Sequence, residues 1–329
     1  MAKTTYKGDN GVDIVNQTQN KDYYNIITKG GDDEISLTLT NTWVDAGDDD
    51  DTVTSNVEGA NRIDLGGGDD SYTGKGYAKN NRHDEVYGGA GDDTMTIFTR
   101  HSDYFGGGGN DHMSSAGYWN LLVGGNGNDT ISYMAQDDDK YLKGWGVDLD
   151  LGREFARTGE GRKEKIFDFE NAEGTSYGDG ILGSKGNNSL WGMGGKDDVV
   201  GFKGNDMLYG GNGSDHLSGG NGQDELTGGK GKDYLHGGGG ADTFIFGNVN
   251  EMGKGNKADV IEDFGKGDKI DLSGAGSFSY INDADFSGSA GELRFEDGLL
   301  QGDVDGDGKA DFEIKVEDVN ALQSSDFIL

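Results

Sequence analysis

The chain has 329 residues, with 61 acidic against 28 basic side chains for a formal charge of −33, 63 glycines, and neither proline nor cysteine. Leu, Ile, Val and Phe make up just under a fifth of it, a content at which chains ordinarily cannot bury enough apolar surface to offset their conformational entropy. The absence of Cys excludes a disulfide framework, a thiolate metal site and a cysteine nucleophile, and the charge disfavours nucleic acid and anionic membranes as partners while favouring cations.

The N-terminal MAKTTYKGDNG has no apolar core of a secretory signal, and no apolar run is long enough to span a bilayer. Residues 7–15, KGDNGVDIV, form a first incomplete repeat without an evident cap. From there a Gly/Asp turn recurs as GGDDEIS, GDDDDTV, GGGDDSY, GGAGDDTMT, GGGGNDHMS and GGNGNDTIS, placing Asp33, Asp51, Asp70, Asp93, Asp111 and Asp129 at steps of 18, 19, 23, 18 and 18 residues. Between these turns the glycines are lost but an inward apolar residue is kept: Val44, Ile63, Val86, Tyr104 and Leu122. Residues 1–144 are therefore expected to form an irregular roll with metal-binding turns along one edge and a variable second edge.

On that variable edge Arg82 and Arg100, and His83 and His101, lie 18 residues apart, with Tyr118 and Trp119 in the next coil. Stacked coils would align them as ladders about one strand spacing apart. Basic and aromatic groups on an extended β face suit an acidic polysaccharide or a partner protein. A solvent-facing ladder beside the acidic edge is the alternative, and lyase chemistry a further one. Residues 145–173 break the repeat with a VDLDL strand, a basic turn and an IFDFEN strand, expected as a hairpin insert that covers the seam or docks a partner.

Residues 174–245 divide into eight consecutive nonapeptides. Their sixth positions are Asp179, Asn188, Asp197, Asp206, Asp215, Asp224, Asp233 and Asp242, and their eighth positions Ile181, Leu190, Val199, Leu208, Leu217, Leu226, Leu235 and Phe244. Such a unit is a short strand followed by a turn whose glycines permit positive φ. Two units close one 18-residue coil, and stacked coils bring equivalent turns about 4.8 Å apart. Turn carbonyls and sixth-position carboxylates then converge, and hard oxygen donors in a flexible loop select Ca²⁺ over zinc or copper.

These nonapeptides resemble the repeats of the RTX family of secreted bacterial proteins, whose GGxGxDxUx blocks form parallel β-rolls that fold on binding Ca²⁺. The resemblance implies an all-β parallel roll or β-helix of 18-residue Ca²⁺-binding coils. About ten Ca²⁺ sites are expected from the gaps between adjacent turns.

After Phe246 the text changes to ADVIEDFGKGDKIDLSG, GELRFEDG and GDVDGDGKADFEIKVEDV. Alternation at Phe312, Ile314 and Val316 predicts antiparallel strands capping the roll over residues 246–329. Residues 240–329 are similar to the C-terminal region of the serralysin metalloproteases and to the R-modules of mannuronan epimerases, where that region is not catalytic. Asp303, Asp305, Asp307 and Gly308 imitate the start of an EF-hand loop, but Ile314 stands where the bidentate Glu belongs, so a turn that hydrogen-bonds its own backbone is expected, with an additional Ca²⁺ as the alternative. The closing SSDFIL resembles the uncleaved export signal of substrates of the type I secretion apparatus.

No His-Glu-x-x-His, G-x-S-x-G or P-loop occurs, and the five His have no zinc spacing. The expectation is a secreted, non-enzymatic, extracellular or cell-surface protein, structural or adhesive, that folds with Ca²⁺ and then associates with itself or with surface polysaccharide. Two alternatives remain open. The organisation also resembles NodO-type secreted nodulation proteins, which implies a membrane-active cation conductor; and the Arg/His/Tyr face could serve a polysaccharide lyase or epimerase.

Overall fold

The computed structural model describes residues 4–17, 23–57, 59–76, 83–139 and 142–329. The chain divides into two compact units, Met1–Glu173 and Gly174–Leu329.

The first unit is built from two ladders of short parallel strands. One runs through Thr4–Lys7, Tyr23–Gly30, Trp43–Asp48, Arg62–Gly67, Glu85–Ala90, Asp103–Gly108 and Leu121–Asn126. The other runs through Ile14–Asn16, Glu34–Leu37, Thr52–Ser55, Ser71–Gly74, Thr94–Ile97, His112–Ser115 and Thr130–Ser132. Glu34–Leu37, Thr52–Ser55, Ser71–Gly74 and Thr94–Ile97 alternate outward and buried residues, as a strand with one face inward must. Val44, Ile63, Val86, Tyr104 and Leu122 stand in register on one ladder and are fully buried, and Ile35, Val53, Tyr72, Met95 and Met113 form the matching row on the other. One or two inward side chains per strand thus suffice for a continuous core.

The insert departs from a simple hairpin. Asp148–Asp150, Phe155–Thr158 and Arg162–Phe167 form an antiparallel meander, and Arg162–Phe167 also pairs in parallel with Leu121–Asn126. The RKEK stretch, expected in the basic turn before the IFDFEN strand, is itself strand because Glu164 and Ile166 alternate inward while Lys163 and Lys165 face out. Asn171–Glu173 then returns to the second ladder beside Thr130–Ser132.

The second unit repeats the plan more regularly. Gly180–Leu182, Asp198–Lys203, His216–Gly222 and Tyr234–Gly240 form one ladder, and Ser189–Trp191, Met207–Gly213, Glu225–Gly231 and Thr243–Ile245 the other. Parallel stacking does not stop at Phe246. Asp259–Ile261 and then Phe312–Val316 extend the first ladder, while Lys269–Asp271 and Phe327–Ile328 extend the second. Antiparallel pairing joins Glu292–Glu296 to Leu299–Asp303, and Leu299–Asp303 to the same Phe312–Val316.

Candidate metal centre: the aspartate ladders

The sixth-position aspartates are tied to their neighbours along each ladder. In the first unit the backbone N–H of Asp33 donates to Oδ1 of Asp51 at 2.8 Å, and Asp51, Asp70, Asp93 and Asp111 donate likewise to Asp70, Asp93, Asp111 and Asp129 at 2.7–2.9 Å. In the second unit Asp179, Asp197 and Asp215 donate to Asp197, Asp215 and Asp233 on one edge. Asn188, Asp206 and Asp224 donate to Asp206, Asp224 and Asp242 on the other.

That relay occupies one carboxylate oxygen and leaves the other. Oδ2 is buried without a hydrogen-bond partner at Asp33, Asp51, Asp70, Asp93, Asp111, Asp129, Asp197, Asp206, Asp215, Asp224, Asp233 and Asp242. An orphaned buried carboxylate oxygen is costly unless a cation meets it. Backbone oxygens converge on the same spaces: a Cβ added at Gly210 would lie 2.6 Å from both Asp215 Oδ2 and the carbonyl oxygen of Gly228 in the next coil. The residues therefore fit Ca²⁺, which takes carboxylate and carbonyl oxygens in flexible geometry.

In the absence of a cation, burial pushes these carboxyls up, reinforced by the charge of neighbouring aspartates and opposed by the backbone N–H. Asp197 is pushed up to about 8, Asp51 and Asp93 to about 7, and Asp70, Asp129, Asp206, Asp233 and Asp242 to about 6.

Two expected ligands sit differently. Asp179 Oδ2 accepts a hydrogen bond from Thr175 N–H at 2.6 Å, and Asn188 Oδ1 accepts one from Ser184 N–H at 2.7 Å, so local donors occupy the position that a cation would share. The structure also extends the ladders beyond the repeat text. Asp13 donates to Asp33 Oδ1, Asp129 to Glu170 Oε2, Asp233 to Asp259 Oδ1 and Asp242 to Asp268 Oδ1. Asp259 is pushed up to about 7 by burial. The last two steps span 26 residues rather than 18, so a fixed period passes over them. An Asp placed two residues before an apolar strand residue, as in DKI, is the signal that would have found Asp268.

The variable edge of the first unit carries the same relay in largely uncharged form. Thr42 N–H donates to Asn61 Oδ1, Asn61 to Asp84 Oδ1, Asp84 to Ser102 Oγ and Ser102 to Asn120 Oδ1, at 2.9–3.0 Å. These residues lie two before Ile63, Val86, Tyr104 and Leu122, the offset of the aspartates on the other edge.

Of the basic and aromatic residues on that edge, Arg82 lies outside the described residues. His83 Nε2 is 4.0 Å from Asp103 Oδ2. Arg100 bridges to Tyr118 and lays its guanidinium 4.2 Å from that ring's centre, where Arg162 of the insert also packs at 4.4 Å. His101 and Trp119 stack with centroids 4.7 Å apart.

The DGDG turn hydrogen-bonds its own backbone. Asp303 accepts from Gly306 and Gly308 N–H, Asp305 from Asp307, and Asp307 from Lys309.

A family model described as the RTX calcium-binding nonapeptide repeat (4 copies) matches residues 80–96, 105–139, 173–208 and 209–244. No curated protein matches the chain. Among solved structures it is similar to the R3 subunit of the mannuronan C5-epimerase AlgE6 from Azotobacter vinelandii, at 29% identity over 46% of this chain and 79% of that one, with a TM-score of 0.30. It is also similar to the extracellular lipase LipA from Serratia marcescens, at 15% identity over 74% of this chain and 40% of that one, with a TM-score of 0.23.

Proposed function

We propose that this chain, which carries calcium-binding RTX nonapeptide repeats, is an extracellular structural or adhesive protein whose roll at neutral pH forms only when Ca²⁺ is supplied. The observation that carries this reading is the row of buried, partnerless Oδ2 atoms on successive coils. Without a cation, each coil stacks a carboxylate beside the next at about one strand spacing, and that repulsion opposes folding. With Ca²⁺ the same oxygens become the cross-link between coils.

This conditionality suits export. Where Ca²⁺ is scarce the chain stays unfolded and can be threaded through a type I secretion apparatus, with SSDFIL as the export signal; outside the cell it folds. No helix among the described residues is long and apolar enough to cross a membrane. What remains for function is surface: association with further copies, or with surface polysaccharide, in a layer, filament or matrix.

Electron microscopy and sedimentation of the full chain at millimolar Ca²⁺, with and without chelator, test this. Ca²⁺-dependent assemblies or cell-surface binding are expected. A monodisperse monomer that ignores cell surfaces at millimolar Ca²⁺ would overturn it.

A further inference from the structure

Where most of the chain is acidic, one cleft in the first unit is lined by cations and rings. It measures ≈ 540 Å³, within the range that small ligands occupy, and its cationic and ring-bearing residues, His101, Trp119, Phe155, Lys163 and Lys165, share the lining with Asn120, Leu121 and the carboxyls of Asp103 and Glu164. One wall is the pair of coil turns on the edge with the mostly uncharged relay; the other is the insert.

The two walls are tied together. Trp119 N–H donates to the carbonyl of Lys163 at 2.7 Å. Glu164, fully buried, accepts hydrogen bonds from Asn120 Nδ2 at 2.8 Å, Tyr133 Oη at 3.0 Å and Ser115 Oγ at 3.1 Å. Anchored there, the strand Arg162–Phe167 must present Lys163 and Lys165 outward on either side. Among the described residues neither ammonium lies within ion-pair distance of a carboxylate, and the nearest counter-charge in the lining is Asp103, which feels the charge of Lys165. Burial pushes both carboxyls of the lining up, Glu164 to about 7, which lessens their repulsion of an anion.

The backbone at the other wall favours a different residue from the one it holds. Asn41, Ala60, His101 and Trp119 occupy one register position on four turns of this edge, all left-handed with φ of 58–61°. That conformation costs a residue with a β-carbon about 1 kcal/mol or more, and Gly or Asn takes it more cheaply. At 119 the turn nevertheless carries a tryptophan, 53% exposed, its ring backed by His101 and by the edge of Tyr118.

We propose that this cleft binds an acidic sugar residue, with the pyranose face on the Trp119 indole and the anionic group between Lys163 and Lys165. A flat, half-exposed indole offers a surface for the C–H face of a sugar ring, and the two lysines supply charge-assisted hydrogen bonds. An acidic peptide would satisfy the lysines but has no rigid face for the ring. The assignment gives the adhesive reading above its polysaccharide class and rests on that reading for its biological setting.

Calorimetry on the full chain at millimolar Ca²⁺ tests it, using a uronate trisaccharide, a sulfated trisaccharide, a neutral trisaccharide and tri-aspartate as probes. An acidic trisaccharide should bind at least tenfold more tightly than the neutral one and than tri-aspartate; whether the carboxylated or the sulfated probe binds better identifies the anion. Trp119→Ala, and Lys163→Gln with Lys165→Gln, should each weaken that binding about tenfold. The double lysine variant changes only exposed side chains, so its Ca²⁺-induced circular dichroism should match the parent. Equal binding of the neutral sugar, tighter binding of tri-aspartate, or unchanged binding in the lysine variant would overturn the site. Ca²⁺-dependent assembly without saccharide binding would remove the cleft assignment and leave the structural reading standing.

Discussion

A sixth-position aspartate has two oxygens with separate tasks: Oδ1 receives the N–H of the preceding coil and Oδ2 faces the cation space. Substitutions can separate them. Asp215→Asn keeps an acceptor for Asp197 N–H but loses the charge, so the folded chain should hold about one Ca²⁺ fewer by calorimetry with its β spectrum intact. Asp215→Ala should also strand the Asp197 N–H, lowering stability by about 1–3 kcal/mol in a melt at saturating Ca²⁺. Gly229 has φ +95°, and a Cβ there would run into the Gly211 carbonyl oxygen, so Gly229→Ala should cost about 2–4 kcal/mol in the same measurement. The carboxyls set a pH dependence as well. Folding raises them from about 4 in an unfolded chain to 6–8 without metal, so the metal-free fold binds protons that the unfolded chain releases. Its stability is fully present below pH about 4 and is lost as pH climbs through 6 to 8. Acidifying the chelated protein from pH 8 to 5 should therefore induce β structure, whereas an unchanged spectrum would show that the carboxylates do not oppose folding.

At the scale of elements, the repeats were legible because each coil needs only a turn, an aspartate and one inward residue, and all three recur at fixed offsets; Leu208, Leu217, Leu226 and Leu235 are buried as that pattern requires. The continuation through Asp259–Ile261 and Lys269–Asp271 was hidden by longer connections that change the interval to 26 residues. The strands of the insert are hard to read in the sequence for another reason. Its basic residues suggest a solvated turn, yet alternate positions 164 and 166 are buried, and what Glu164 finds there, Ser115, Asn120 and Tyr133, comes from residues 31 to 49 positions away. No local pattern shows such partners. Because burial raises Glu164 to about 7, its contribution is lost as pH rises through that value. Glu164→Gln can keep the acceptor for Asn120 and Ser115 and donate to Tyr133, so melts of this variant should lose less stability between pH 6 and 8.5 than the parent. A parallel loss in both would show that the Glu164 carboxyl does not set the pH response of the insert.

For the whole molecule, the charge of −33 that first suggests disorder is largely a charge in waiting. About ten Ca²⁺ would cancel roughly 20 of those charges, at positions where buried oxygens have no other partner. The small apolar content suffices because the cross-links between coils are ionic as well as hydrophobic. The central claim is that the fold is conditional on its metal, and far-UV circular dichroism through a Ca²⁺ titration of the full chain, followed by chelation and by a Mg²⁺ control, tests it most directly. The account predicts a disordered spectrum without Ca²⁺, a cooperative rise of β signal with Ca²⁺ that Mg²⁺ does not reproduce, and its reversal by chelator. A β spectrum and thermal transition unchanged by chelator at neutral pH would contradict it.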